Sequence, residues 1–147
     1  MALRNIVKDP DPQLRRKSRE VDKFDDKLHK LLDDMRETML ANDGCGLAGP
    51  QVGILRRLCV VETPDFFIEM MNPVITCATG SQISPEGCLS VENKGCLVER
   101  PKHITVEYDD RYGKHHVKRI DGFEAKACCH EIDHLDGILF YDKEYKK

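Results

Sequence analysis

The chain has 147 residues and a mass of 16.8 kDa, with 33% charged and 40% hydrophobic residues and a formal net charge of −3. That length suits a single domain, residues 1–147, able to bury its own core, and the charge balance gives no electrostatic case for nucleic acid or an anionic membrane as a partner. No apolar run approaches the roughly 20 residues that span a bilayer, and the odd set of seven irregularly spaced cysteines favours free thiols in a reducing cytosol.

Asp9-Pro10-Asp11-Pro12 reads as a turn opening into a short helical segment over Gln13–Lys17. The spacing of Phe24, Leu28, Leu31, Leu32, Met35 and Met39 predicts a helix from about Lys23 to Asn42 with one buried stripe, while Lys27, Asp33, Asp34 and Glu37 fall elsewhere and His29 is expected in solvent. Asn42-Asp43-Gly44 stops it, and Gly44–Gln51 follows as a glycine-rich loop. That loop lacks the lysine of a phosphate-binding loop and the glycine spacing of a dinucleotide fingerprint. Arg57–Glu62 and Phe67–Ile75 read as strands, the second ended by Asn72-Pro73, and Cys59 within the first reads as a small buried hydrophobe. Ile104-Val106-Tyr108 alternates and His116–Ile120 answers it as a hairpin, with His103, His115 and His116 facing solvent. Asp121-Gly122 punctuates the chain before its last helix. The pattern predicts an α+β fold in which antiparallel β-sheets surround a central helix.

That helix carries the chemistry. In His130-Glu131-Ile132-Asp133-His134 two imidazoles four residues apart share one helical face and can reach a single metal ion. A bare histidine pair would be an ordinary helix feature, but the interposed Glu131 has a defined task beside a metal, as a base for water. A catalytic centre of this kind needs a third protein ligand and an open position for water. A metzincin protease would place that ligand at residue 140, which is Phe140, and a thermolysin-like acid has little chain left to occupy, with Glu144 the lone glutamate after His134. Cys128 and Cys129 point away from the His130 face. Cys45, Cys77, Cys88 and Cys96 stay open as suppliers.

Three stretches, Gly44-Cys45-Gly46-Leu47-Ala48-Gly49-Pro50-Gln51, Glu86-Gly87-Cys88-Leu89-Ser90 and His130-Glu131-Ile132-Asp133-His134, resemble in order and spacing the three motifs of peptide deformylases of the short-tailed bacterial type. The resemblance runs from about Leu14 to Phe140. It implies that Cys88, His130 and His134 hold one divalent metal, ferrous iron first, with zinc, nickel or cobalt as substitutes. It further implies that Glu131 acts as general base and then acid while metal-bound water attacks a formyl carbon, and that the Gln51 amide and the Leu89 backbone N–H stabilise the resulting oxyanion. Gly46 would offer main-chain hydrogen bonds to the peptide. Phe123 and Ala127, on the His130 face, together with Cys45, are candidate walls of the substrate slot. The implied substrates are N-formylmethionyl nascent peptides at the ribosome; the sequence does not set the oligomeric state, for which a monomer is the default expectation, and the cytoplasm follows from the features above.

The chain departs from the family pattern at four places. Gly49 stands where alanine is usual, which is expected to loosen the loop holding Gln51; Glu92 replaces a proline, Cys129 a glutamine, and Glu124 an aliphatic residue. None removes a ligand, the base or an oxyanion donor. Two other readings use the same residues: a different metallopeptidase or amidase, and a non-catalytic structural site, which would need a fourth protein ligand such as Cys45 or Cys96. A pairing of Arg100 with Glu86 or Asp133 behind the ligands follows from charge alone.

Overall fold

The computed structural model describes residues 2–146. Helix α1 (Asp26–Ala41) begins where the Asp25 carboxylate accepts the Leu28 N–H at 3.1 Å, a cap that sets its start inside the predicted range. Its stripe of Leu28, Leu32, Met35 and Met39 is buried, with Phe24 and Leu31 packed at the margin. Asp34 departs from the expected outward face: it is buried, and its carboxylate takes the Ala2 N–H at 3.1 Å and the Arg4 guanidinium at 3.0 Å. His29 is half-buried rather than solvated, its Nε2 being 2.7 Å from the Arg111 carbonyl.

The glycine-rich stretch contains a short strand, β1 (Gly46–Ala48), which pairs antiparallel with β2 (Leu58–Thr63). Next to β2 lies β3 (Phe66–Thr79), longer than periodicity predicts. Asn72-Pro73 does not end β3 because its pairing shifts register between Met71 and Val74, and Asn72, at φ 53°, ties back to Val21 N and O at 2.8 and 2.9 Å. Strands β4 (Gln82–Cys88) and β5 (Val91–Arg100) form a separate hairpin that the sequence did not announce. Their Gly, Pro, Glu, Lys and Asn content is poor for strands; pairing and the packing of Val91 and Val98 on Leu139 and Phe140 impose the form. β6 (His103–Asp109) and β7 (His115–Asp121) make the predicted hairpin, completing a five-stranded sheet in the order β1-β2-β3-β6-β7.

Alternation along β1 and β2 then builds two cores. Leu47, Leu58 and Val60 face α1, whereas Ala48, Cys59 and Val61 face the last helix, α2 (Gly122–Leu135). With the β4–β5 hairpin across its other side, α2 is enclosed by strands, as the α+β expectation required.

The end of α2 is fixed by Gly137, at φ 74°, where an added Cβ would overlap the Arg15 carbonyl. The Leu135 carbonyl is held by Ser18 N at 2.8 Å and Arg57 Nη1 at 3.0 Å. Gly137→Ala is expected to destabilise the protein by at least about 1 kcal/mol through left-handed backbone strain and the Arg15 clash, read as a lower urea midpoint at unchanged slope. An unshifted midpoint would show that this turn does not anchor the helix.

Candidate metal centre

Cys88 ends β4 at a two-residue turn, and that turn is clamped by the N-terminal segment. Asp9 N donates to the Ser90 carbonyl at 2.7 Å and Lys8 Nζ to the Leu89 carbonyl at 2.9 Å. The turn brings the Cys88 Sγ to 3.3 Å from His134 Nε2, and ligand atoms of Cys88, His130 and His134 all lie within 4.8 Å of one another. These are the distances of groups that share one ion, and thiolate with imidazole suits a borderline transition metal. Cys77 is exposed and takes no part; Cys96 sits on the hairpin, away from this group.

Behind the ligands lies a buried ionic network. Glu86 accepts from Arg100 Nε and Nη2, each at 2.9 Å, and lies 2.9 Å from His130 Nδ1. Arg100 Nη1 reaches Asp133 at 2.6 Å, and Lys143 also meets Asp133 at 3.0 Å. Burial pushes the Glu86 carboxyl up, but hydrogen bonds from His130 and Arg100 outweigh it and hold it at about 2. An ionised Glu86 can only accept, so His130 Nδ1 carries a proton toward it. Burial disfavours the charged imidazole, but Glu131, Cys88 and Glu86 outweigh it and raise His130 to about 10, so an ion taken up at Nε2 must displace a proton. Burial lowers His134 to about 3, helped by the charges of His130 and Arg100, keeping it a neutral ligand.

Glu131 stands apart. Its Oε1 is buried without a hydrogen-bond partner among the described residues, and burial raises its carboxyl to about 7, against the pull of His130 and Arg100. An unpaired buried carboxylate oxygen beside three ligand atoms is what a bound cation and its water would satisfy. Gly46 explains the space: a Cβ there would overlap Glu131 Oε2, so only glycine leaves room for the carboxylate. Gln51, fully buried, accepts the Ala48 N–H at 2.9 Å through Oε1. Its Nε2 donates to Ser90 Oγ at 3.2 Å and faces Cys88 Sγ at 3.4 Å.

These groups line a cavity of about 380 Å³. Cys45, Gly46, Gln51, Cys88, Leu89, Phe123, Ala127, His130 and Glu131, all singled out in the sequence, border it. Two lining or supporting residues went unassigned. Ser90, which turns the Gln51 amide, has no sequence signal beyond its place after Cys88. Lys126 lies four residues before His130, where helical spacing alone places it on the wall. Gly49 does not loosen its loop: a Cβ would lie 2.6 Å from the Ile54 carbonyl and 2.9 Å from that of Arg56, so the glycine permits a close backbone approach.

The sequence profile described as polypeptide deformylase matches residues 3–147. The chain belongs to the polypeptide deformylase family. It is 52% identical to the peptide deformylase of Alkaliphilus metalliredigens over 149 aligned residues, covering 100% of both chains. With that of Caldicellulosiruptor bescii it shares 50% over 143 residues, 97% of this chain and 86% of the relative. The crystal structure of the Thermotoga maritima peptide deformylase superposes with a TM-score of 0.97 at 35% identity, over 99% of this chain and all of that one. A peptide deformylase from Ehrlichia chaffeensis in complex with actinonin gives 0.94 at 37% identity, over 99% of this chain and 91% of that one. The deformylase fold and its metallohydrolase class therefore hold for this chain.

Two measurements bear on the geometry. Arg100→Ala, which frees Glu86 and Asp133, is expected to weaken metal affinity about ten- to hundredfold in competition with a chelator; unchanged affinity would contradict the network's role. The raised Glu131 carboxyl means that the unfolded chain ionises first, so its share of stability is intact below about 4.5 and is lost as pH rises through about 7. In chelator-treated protein, Glu131→Gln should therefore be the more stable form at pH 8 by on the order of 1–3 kcal/mol, with the gap closing in acid. Parallel stability curves would refute the buried charge.

Proposed function

We propose that this chain, acting as one catalytic domain, removes the N-formyl group from formyl-methionyl nascent peptides and releases formate. The observation that carries the reading is the meeting of Cys88, His130 and His134 around room for one ion, beside a buried carboxylate with an oxygen left unpartnered. Family membership supports the substrate class. Ferrous iron is the proposed ion, with zinc, nickel or cobalt as substitutes, and the proposed setting is the cytoplasm, near the ribosome, with the protein as a monomer. No helix of the described residues is long and apolar enough to cross a membrane.

A divalent ion held there would act as a Lewis acid, lowering the pKa of water toward about 7 and polarising the scissile carbonyl. Glu131, whose unpartnered Oε1 lies buried among the lining residues, takes one proton from the attacking water. As the water oxygen bonds to the formyl carbon, charge gathers on the carbonyl oxygen. The Gln51 side-chain amide, turned by Ser90 and Ala48, and the Leu89 main-chain N–H are the proposed donors to that oxygen. Glu131 then gives the proton to the amine nitrogen as the C–N bond breaks, leaving formate and a free amino terminus.

The peptide has a natural seat. β1 is the edge of the five-stranded sheet and β4 belongs to a two-stranded one, so both present main-chain groups to the cavity between them. An extended peptide laid there, with Gly46 as one main-chain partner, adds a strand. Its first side chain then enters the slot walled by Cys45, Phe123 and Ala127.

A closed structural site would need a fourth ligand; among the described residues the group within metal-sharing distance is a trio. Glu131→Ala is expected to keep the metal and lower formate release from a formyl-Met peptide at least about 10²-fold. Gln51→Ala should lower kcat about 10²- to 10³-fold. Cleavage of unformylated peptides, or formate release untouched by Glu131→Ala, would overturn the reading.

A further inference from the structure

We propose that the N-terminal segment Val7–Asp9 is a strap that sets the two oxyanion donors against each other, with Lys8 as its positioning residue; this deepens the deformylase reading above and rests on it. The donors come from parts of the chain that share no strand pairing. Gln51 stands in the short 3₁₀ turn Gly49–Val52 after β1, and Leu89 in the turn between β4 and β5. A donor is effective only about 2.7–3.1 Å from the place the oxyanion will take. The offset between two separately built turns must therefore be fixed by something that touches both.

Three consecutive residues span that offset. Val7 N donates to the Gln51 carbonyl at 2.7 Å, Lys8 Nζ to the Leu89 carbonyl at 2.9 Å and Asp9 N to the Ser90 carbonyl at 2.7 Å. Two of the three donors are main-chain N–H groups, so a stretch of covalent backbone with no side-chain rotamers measures the gap. The strap is itself held at both ends. Upstream, Arg4 N donates to Thr38 Oγ1 at 2.9 Å and the Arg4 guanidinium meets Asp34, both on α1. Downstream, the Tyr141 hydroxyl lies 3.1 Å from each oxygen of the Asp9 carboxylate, and Lys94 sits 4.1 Å from the Tyr141 ring centroid.

Leu89 is fixed from two directions. Its side chain packs on the α1 core and against Gly44, where a Cβ would overlap Leu89 Cδ1, while its carbonyl is taken by Lys8. Little freedom is left for its N–H to turn from the cavity that the residue borders. Glu92, one of the four departures from the family pattern, lies 3.9 Å from Lys8 Nζ and holds that ammonium over the turn. Lys8 is exposed and is not among the residues lining the cavity, so it acts on the reaction through Leu89 alone.

The test compares formate release from formyl-Met-Ala amide by the metal-loaded full chain and by Lys8→Met, Lys8→Arg and Lys17→Met, with metal content and urea midpoint measured alongside. Lys17 is an exposed lysine outside the strap, so its variant controls for the lost charge. Lys8→Met is expected to lower kcat about three- to tenfold with KM, metal content and midpoint unchanged, a smaller loss than the roughly 10²-fold of a 1 Å misplacement or of a donor removed outright. Lys8→Arg should restore most of kcat, because a guanidinium can still donate to the carbonyl, and Lys17→Met should match the parent. The strap assignment is overturned by an unchanged kcat in Lys8→Met, by a loss that lies in KM or tracks metal content or midpoint, by Lys8→Arg as slow as Lys8→Met, or by an equal fall in Lys17→Met. Each of these leaves the deformylase reading standing, whereas no formate from the parent rejects that reading and this inference with it.

Discussion

The buried contact between Glu86 and Arg100 joins the two strands of one hairpin and, through both side chains, ties that hairpin to a helix outside its sheet. Glu86 lies on β4, Arg100 at the end of β5, and through them the hairpin reaches His130 and Asp133 on α2. Taking these charges out of water costs several kcal/mol per ion, and a buried pair seldom repays that in net stability. Its return is positional. Glu86 fixes the protonated nitrogen of His130, and Arg100 fixes Glu86 and Asp133 together, so the strand ending in Cys88 arrives in register with the helix bearing the two histidines. Contacts from Lys126 to Ser84 and from Gln82 to the Gly122 carbonyl add further ties between the hairpin and the helix.

The second constraint is space. The helix needs its carboxylate beside the ligands, and the sheet edge would fill that volume if residue 46 carried a side chain. Glycine at the edge of β1 is therefore what leaves room for the Glu131 carboxylate. The same burial raises the Glu131 carboxyl to about 7, which suits the proton exchange proposed for it near cellular pH. The cost of that burial falls on stability at high pH.

Much of this was legible in the chain. The spacing of His130, Glu131 and His134 declares its helix face without any structure, and the α1 stripe declares its core. Cys88 was not legible by chemistry, since four cysteines stood as equal candidates; only the three-motif resemblance chose among them. The β4–β5 hairpin escaped because its residues lack strand propensity and are held by long-range pairing and by Leu139 and Phe140. Asp34 escaped for a related reason: a carboxylate on a helix reads as solvated until the N-terminal Ala2 and Arg4 fold over it. Lys126 is the opposite case, since the helical spacing that puts Phe123 and Ala127 beside His130 puts it on the cavity wall as well.

The account rests on one sulfur and two imidazoles converging on a single ion with a position left for solvent. X-ray absorption at the metal edge of the loaded protein tests this most directly. The expected spectrum has one sulfur and two imidazole nitrogens from the protein, and the sulfur shell disappears in Cys88→Ser. A spectrum with two sulfurs, with none, or with four protein ligands would contradict it.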